Sequence, residues 1–160
     1  MELTQRVVIP VNSGQVWQAL NDPEILGQSI AGCESFELND AGGYDLTMQV
    51  KIGPVKARFK GEIELSDVVE GVSCTLNGSG KGGVAGHARG SARVHLTTVD
   101  GTHTSMRYSV QANVGGKLAQ IGSRLVDGAA RKMANDFFTR FVHILCQDDS
   151  VEINLETIEE

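Results

Sequence analysis

Residues 55–65 read VKARFKGEIEL, and their alternation decides the fold class. Val55, Ala57, Phe59, Ile63 and Leu65 fall on one face; Lys56, Arg58, Lys60, Glu62 and Glu64 fall on the other. A period of two is that of a β-strand with one buried face and one wet face. One-sided strands of this kind belong to antiparallel sheets.

The same period extends in both directions. Tyr44, Leu46, Met48, Val50 and Ile52 share a face of YDLTMQVKI (44–52). Further strands are predicted at VSCTLNGSG (72–80), at about 87–99 and at THTSMRYSVQAN (102–113). The turns NDAGG, GP, VEG and VDGT between them are short and polar, which makes the strands a meander in chain order. Ahead of them, LTQRVVI (3–9) is a first strand ended by Pro10. Asn12 or Ser13 then caps a short helix, GQVWQALN, and DPEILGQSI starts a second with Pro23 at an early helical position. The last long element, about 115–145, is an amphipathic helix. Leu118, Ile121, Gly122, Leu125, Val126, Ala129, Met133 and Phe137 form its apolar stripe, with Arg124, Asp127, Arg131 and Asn135 opposite.

This order is that of an α+β domain. A seven-stranded curved antiparallel sheet is expected to wrap round the long C-terminal helix, with the two short helices after strand 1 plugging one end. The layout is a helix-grip, spanning residues 1–146, with 147–160 as an acidic C-terminal tail. It leaves room for a cavity between sheet and helix.

Composition narrows the function classes. The chain has 160 residues, 41% hydrophobic and 21% charged, which is ordinary for one globular domain. No apolar run reaches the roughly 18–20 residues that cross a bilayer. Glu2 stands where a secretion signal needs positive charge, so a cytoplasmic location is expected. Cys33, Cys74 and Cys146 are odd in number and lack CxxC spacing, as expected of reduced thiols. Of the 20 acids, six lie in QDDSVEINLETIEE (147–160), which leaves 14 acids against 14 Lys and Arg in the body. A neutral body is not that of a nucleic-acid binder.

Connectivity also sorts charge. Turns of a meander alternate between its two ends. Asp40, Asp67, Glu70 and Asp100 therefore gather at one pole, and Lys51, Lys56, Lys81, His87 and Lys117 at the other. The basic pole is rich in glycine and receives the N-terminus of the last helix, which offers free N–H groups to a polar ligand. A cavity mouth is expected there, formed by Gly53 and Pro54, by Lys81, Gly82, Gly83 and His87, and by Gly115, Gly116, Lys117 and Arg124. Met48, Phe59, Leu76, Met106 and Tyr108 should line the cavity from the strands. Leu118, Ile121, Gly122, Leu125, Ala129 and Met133 should line it from the helix. The methionines suit an adaptable wall. Gly122 in GGKLAQIGSRL (115–125) either leaves space on the inward face or permits close packing. Trp17 reads as a core plug.

Other motifs carry less. GSGKGG (78–83) resembles a dinucleotide loop, but strand follows it instead of helix; as a Walker loop it lacks its first glycine and the Ser or Thr after Lys81. His87, His95, His103 and His143 show no metal-ligand spacing, and His87 reads as a surface histidine. There is no GxSxG, and no Cys–His pairing is evident, so no catalytic residue is nominated.

NDPEILGQSIAGCESFE, KIGPVKARFKGEIELSDV, GSGKGGVAGHARGSARV and VGGKLAQIGSRLVDGAARKMANDFF together resemble the CoxG family of carbon monoxide dehydrogenase subunits, within the START/Bet v 1-like (SRPBCC) superfamily. The likeness covers residues 1–142. It implies a helix-grip protein that binds a quinone or lipid, has no cofactor or enzymatic activity of its own, and recruits or serves a carbon monoxide dehydrogenase-type molybdenum hydroxylase. It also admits peripheral contact with the inner face of the cytoplasmic membrane. Family members often append a hydrophobic anchor, whereas this tail sets Val151, Ile153, Leu155 and Ile158 among acids, which suits a protein surface better than anionic lipid. Two alternatives stay open: an assembly or adaptor factor with an incidental cavity, and a cyclase- or hydrolase-like enzyme.

Overall fold

In a computed structural model, which describes residues 1–158, the period-two segments form a single sheet. Strand β1 (Glu2–Ile9) leads into helices α1 (Ser13–Leu20) and α2 (Pro23–Ser29). Both helices start on side-chain caps. Asn12 Oδ1 accepts from the Gln15 N–H at 3.0 Å, and Asp22 Oδ1 accepts from the Glu24 N–H at 3.0 Å. The meander follows as β2 (Cys33–Leu38), β3 (Tyr44–Ile52), β4 (Val55–Val69), β5 (Ser73–Lys81), β6 (His87–Asp100) and β7 (His103–Gly115). Two further helices, α3 (Lys117–Gln120) and α4 (Ser123–Cys146), precede a last strand, β8 (Leu155–Thr157).

The sheet runs β2-β3-β4-β5-β6-β7-β1-β8, antiparallel at every pairing. It has eight strands, not the expected seven. The extra strand comes from the acidic tail. Gln147, at φ +51°, ends α4, and Asp148 Oδ1 accepts from the Ser150 N–H at 2.9 Å as the chain reverses. His143 Nε2 then donates to the Val151 carbonyl at 2.8 Å. Val151, Ile153 and Leu155 pack on the core, and Leu155, Glu156 and Thr157 pair with Val7, Arg6 and Gln5. The apolar positions of the tail are thus covered by its own domain. Glu159 and Glu160 lie outside the described residues.

The expected terminal helix is broken as well. Gly122 has φ +97° and separates α3 from α4, so it is a junction and not an interior helical position. Beyond the break, α4 runs unbroken from Ser123 to Cys146. Its buried residues are Phe138, Phe141 and Val142, while Leu125, just past the break, is 47% exposed. Asp127 departs from its expected solvent-facing place too: its Oδ1 is buried without a hydrogen-bond partner.

The main core sits at the pole of α1 and α2. Phe141, Val142, Ile9, Val7, Val16 and Met106 are all but fully buried there. Each such side chain contributes about 1.5–3 kcal/mol by leaving water. Trp17 packs against this cluster, partly buried. The N-terminal half of α4 is held more lightly. Met133 is 41% exposed and Leu125 47% exposed. One helix therefore has an anchored half and a half that spans open space.

Candidate functional site

That open space is an apolar cavity of about 470 Å³ between the concave face of the sheet and the N-terminal half of α4. Its volume falls in the range of small-molecule sites. Strand alternation places Leu46, Met48, Val50 and Ile52 of β3 on its wall, with Phe59 and Ile63 of β4 beside them. Val126, Ala129, Ala130 and Met133 cover it from α4, and Leu118 from α3. Glu62, Ser79 and Arg89 border it but are the exposed, outward members of their strands. Met1 reaches the wall near β7, where its ammonium donates to the Ala112 carbonyl at 2.9 Å.

The hole exists because the middle of the sheet has almost no side chains on this face. Gly61 lies opposite Gly80, Gly78 opposite Gly90, and Gly90 opposite Ala112. Ala88 and Ala92 continue the band on β6. Large residues flank it on both sides, so sheet and helix are held apart while the centre stays empty. The glycines differ in what they tolerate. A Cβ at Gly78 or Gly80 would find its nearest neighbour at 3.8 or 3.7 Å, ordinary contact distances. At Gly61 or Gly90 it would meet a backbone carbonyl oxygen at 2.9 or 2.6 Å. Sequence reasoning misses these floor residues, because GSGKGG draws attention only as a nucleotide loop without its helix. Their signal is small residues at alternate positions: Gly78 and Gly80 in β5, Ala88, Gly90 and Ala92 in β6.

Of the residues expected on the wall, Met48, Phe59, Leu76, Leu118, Ala129 and Met133 border the cavity. Met106 and Tyr108 do not. Both are buried in the main core, where Tyr108 donates to Gln5 Oε1 and stacks on Phe138 at 5.0 Å. Ile121 packs under α3, Leu125 lies exposed against the β3–β4 turn, and Gly122 is the helix junction.

None of the residues expected at the mouth borders the cavity. Their pole is closed by a second small core of Val55, Phe59, Ala85 and Leu118. Gly82 lies against the Phe59 ring, where a Cβ would stand 2.6 Å from Cζ. Gly86 packs on Gly115 and Gly116, and His87 covers Gly115. Glycine here permits backbone contact that seals the pole, where an open entrance was expected. Gly53, Pro54, Gly83, Lys81, Lys117 and Arg124 sit on the outside of this plug. Met133 both lines the cavity and remains exposed, so the opening lies along the flank of α4.

Among the described residues, no cysteine or tyrosine borders the cavity. Burial pushes the Cys74 and Cys33 thiols and the Tyr108 hydroxyl upward, which keeps them protonated at neutral pH.

The profile of the CoxG family of carbon monoxide dehydrogenase subunits matches residues 6–146. The chain belongs to the CoxG family. No curated protein sequence matches it. Among solved structures, a conserved protein from Geobacillus kaustophilus is 28% identical with a TM-score of 0.87, over 98% of this chain and 99% of that one. A START superfamily protein from Mycobacterium smegmatis is 10% identical with a TM-score of 0.69, over 91% and 97%. An aromatase/cyclase from a Streptomyces species is 10% identical with a TM-score of 0.65, over 92% and 94%. The last two likenesses establish the shared fold, a START/Bet v 1-like helix-grip. CoxG membership and this fold together suggest an accessory, ligand-binding role.

Proposed function

We propose that this CoxG-family protein is a non-catalytic carrier of a hydrophobic small molecule, an isoprenoid quinone or similar lipid, in the service of a carbon monoxide dehydrogenase-type molybdenum hydroxylase. It would work on the cytoplasmic side of the membrane. The supporting observation is the cavity, whose inward side chains are Met, Leu, Ile, Val, Phe and Ala over a glycine floor. Such a surface recognises carbon skeletons by burial. Ten methylenes of a lipid tail would contribute on the order of 8 kcal/mol before the entropy cost of binding.

The flank opening at Met133 would let a long tail enter sideways, with its polar head left near solvent. The lightly packed half of α4 is the wall best able to yield. A cyclase-like reaction would need an acid or base aimed at the ligand. The partly buried Asp127 does not border the cavity.

Mass spectrometry of an organic extract, from protein purified out of its native host, tests the reading. A stoichiometric quinone or lipid supports the carrier. An empty extract from folded protein that still copurifies with the hydroxylase supports an adaptor with an incidental cavity.

A further inference from the structure

Two acid–base couples are spaced four residues apart along α4, and only one of them is formed. Lys132 and Asp136 pair at 2.7 Å. Asp127 and Arg131 have the better order for such a pair, with the acid nearer the helix N-terminus. Yet they make no ion pair among the described residues. Asp127 Oδ1 is buried with nothing bonded to it, and among the described residues it is the only buried side-chain nitrogen or oxygen in that state. A carboxylate oxygen taken from water without a donor is costly, and its presence in a folded chain needs a reason.

The course of Arg131 supplies one. Its Nη1 donates to Thr157 Oγ1 at 3.1 Å, on the strand that the tail adds to the edge of the sheet. The same oxygen accepts from Gln5 Nε2 at 3.3 Å, and the buried Gln5 in turn accepts from the Tyr108 hydroxyl in the main core. One hydroxyl thus ties α4 to β1. The tie falls in the half of α4 that is otherwise lightly held, since Arg131 stands between Ala130 and Met133 of the cavity wall. The bond itself is exposed, so it opens without unfolding anything. Strand β8 is equally slight, with three pairs to β1 against the eight between β1 and β7.

We infer that Arg131 is a latch on the cavity's lid, with two seats. Seated on Thr157, it straps the N-terminal half of α4 to the β1–β8 edge. Seated on Asp127, one turn back along its own helix, it satisfies the orphaned carboxylate and leaves that half of α4 untied from the sheet. The bond lost at one seat is offset by the bond gained at the other, so the lid moves at little net cost. Its anchor at Phe138, Phe141 and Val142 stays buried throughout. The latch gives the carrier proposed above its gate and rests on that reading for its purpose. The exchange between seats is a property of the empty chain, so the two ideas are tested by separate readouts.

Hydrogen exchange over residues 123–136 of the ligand-free chain reads the latch. The release rate of N-phenylnaphthylamine, a neutral fluorescent probe of apolar cavities, reads the gate. Thr157→Val removes the hydroxyl and keeps the branched shape; it should raise both rates about fivefold, while Thr157→Ser stays at wild-type values. Asp127→Asn removes the charge at the second seat and should lower both rates about threefold. In an Arg131→Met background, which keeps a long stem and loses the donors, neither Thr157→Val nor Asp127→Asn should have any further effect. Unchanged exchange in Thr157→Val, or an Asp127→Asn effect that persists in Arg131→Met, overturns the latch. Failure of the probe to bind wild type, with the exchange pattern as expected, supports the latch and counts against the carrier reading alone.

Discussion

Gly78 faces Gly90 across β5 and β6 on the cavity floor, yet the two are glycine for different reasons. A side chain at Gly78 has room, with its first neighbour at 3.8 Å; one at Gly90 strikes the Gln111 carbonyl oxygen at 2.6 Å. Gly78→Leu should therefore fold, with stability level or higher by up to ~1 kcal/mol from better strand propensity, and should lose the bound hydrophobic molecule. Gly90→Ala should cost about 1–3 kcal/mol by overpacking. Urea denaturation together with extract mass spectrometry reads both. Full ligand occupancy in Gly78→Leu would mean that the ligand lies elsewhere.

Gly122 holds φ +97° and ψ 151° at the α3–α4 junction, with nothing within 4 Å of the position a Cβ would take. Space is not limiting there, but the backbone conformation is. Gly122→Ala is expected to cost roughly 1–3 kcal/mol and to loosen α3 and the start of α4. Hydrogen exchange across residues 117–126 should show the loss locally, with the protection of Phe138–Val142 retained.

The tail contributes through its aliphatic residues more than through its charges. Val151, Ile153 and Leu155 are half-buried against the main core, so ending the chain at Ser150 should cost about 3 kcal/mol in urea denaturation. The Arg6–Glu156 pair spans 2.6 Å, but its side chains are 50% and 59% exposed. Glu156→Gln should accordingly change stability by less than about 0.5 kcal/mol.

Asp100 sets an acid limb. Its carboxylate accepts from the Thr102 N–H at 2.8 Å, from the His103 ring at 3.0 Å and from the Thr102 hydroxyl at 2.9 Å. These bonds lower it from an ordinary 3.8 to about 2. A folded value below the unfolded one means that the contribution is complete above about pH 4 and is lost as pH falls toward 2. In Asp100→Asn, stability at neutral pH should drop and its decline across that window should flatten. Urea midpoints measured from pH 7 to pH 2 would show both.

Alternation in VKARFKGEIEL and its neighbours was sufficient for the strands, because pleating is a local property that each residue reports by its own polarity. The cap of the first helix, at one of the two candidates Asn12 and Ser13, the start of the second helix at Pro23 and the separation of charge between the poles were also legible, since they follow from chain order. The site was less so. Whether Gly78 leaves a hole depends on its lying beside Gly90, and Gly61 beside Gly80; that is a matter of register between strands. Met106 and Tyr108 share the period of the wall residues Val110, Ala112 and Val114 but sit nearer the start of β7, where Phe138 and Phe141 fill the space. Period assigns a face and says nothing of position along it. The break at Gly122 and the pairing of the tail with β1 were likewise decided by tertiary structure. Helical spacing continues smoothly through a glycine on paper, and a three-residue strand forms only where a distant edge and a core are waiting for it.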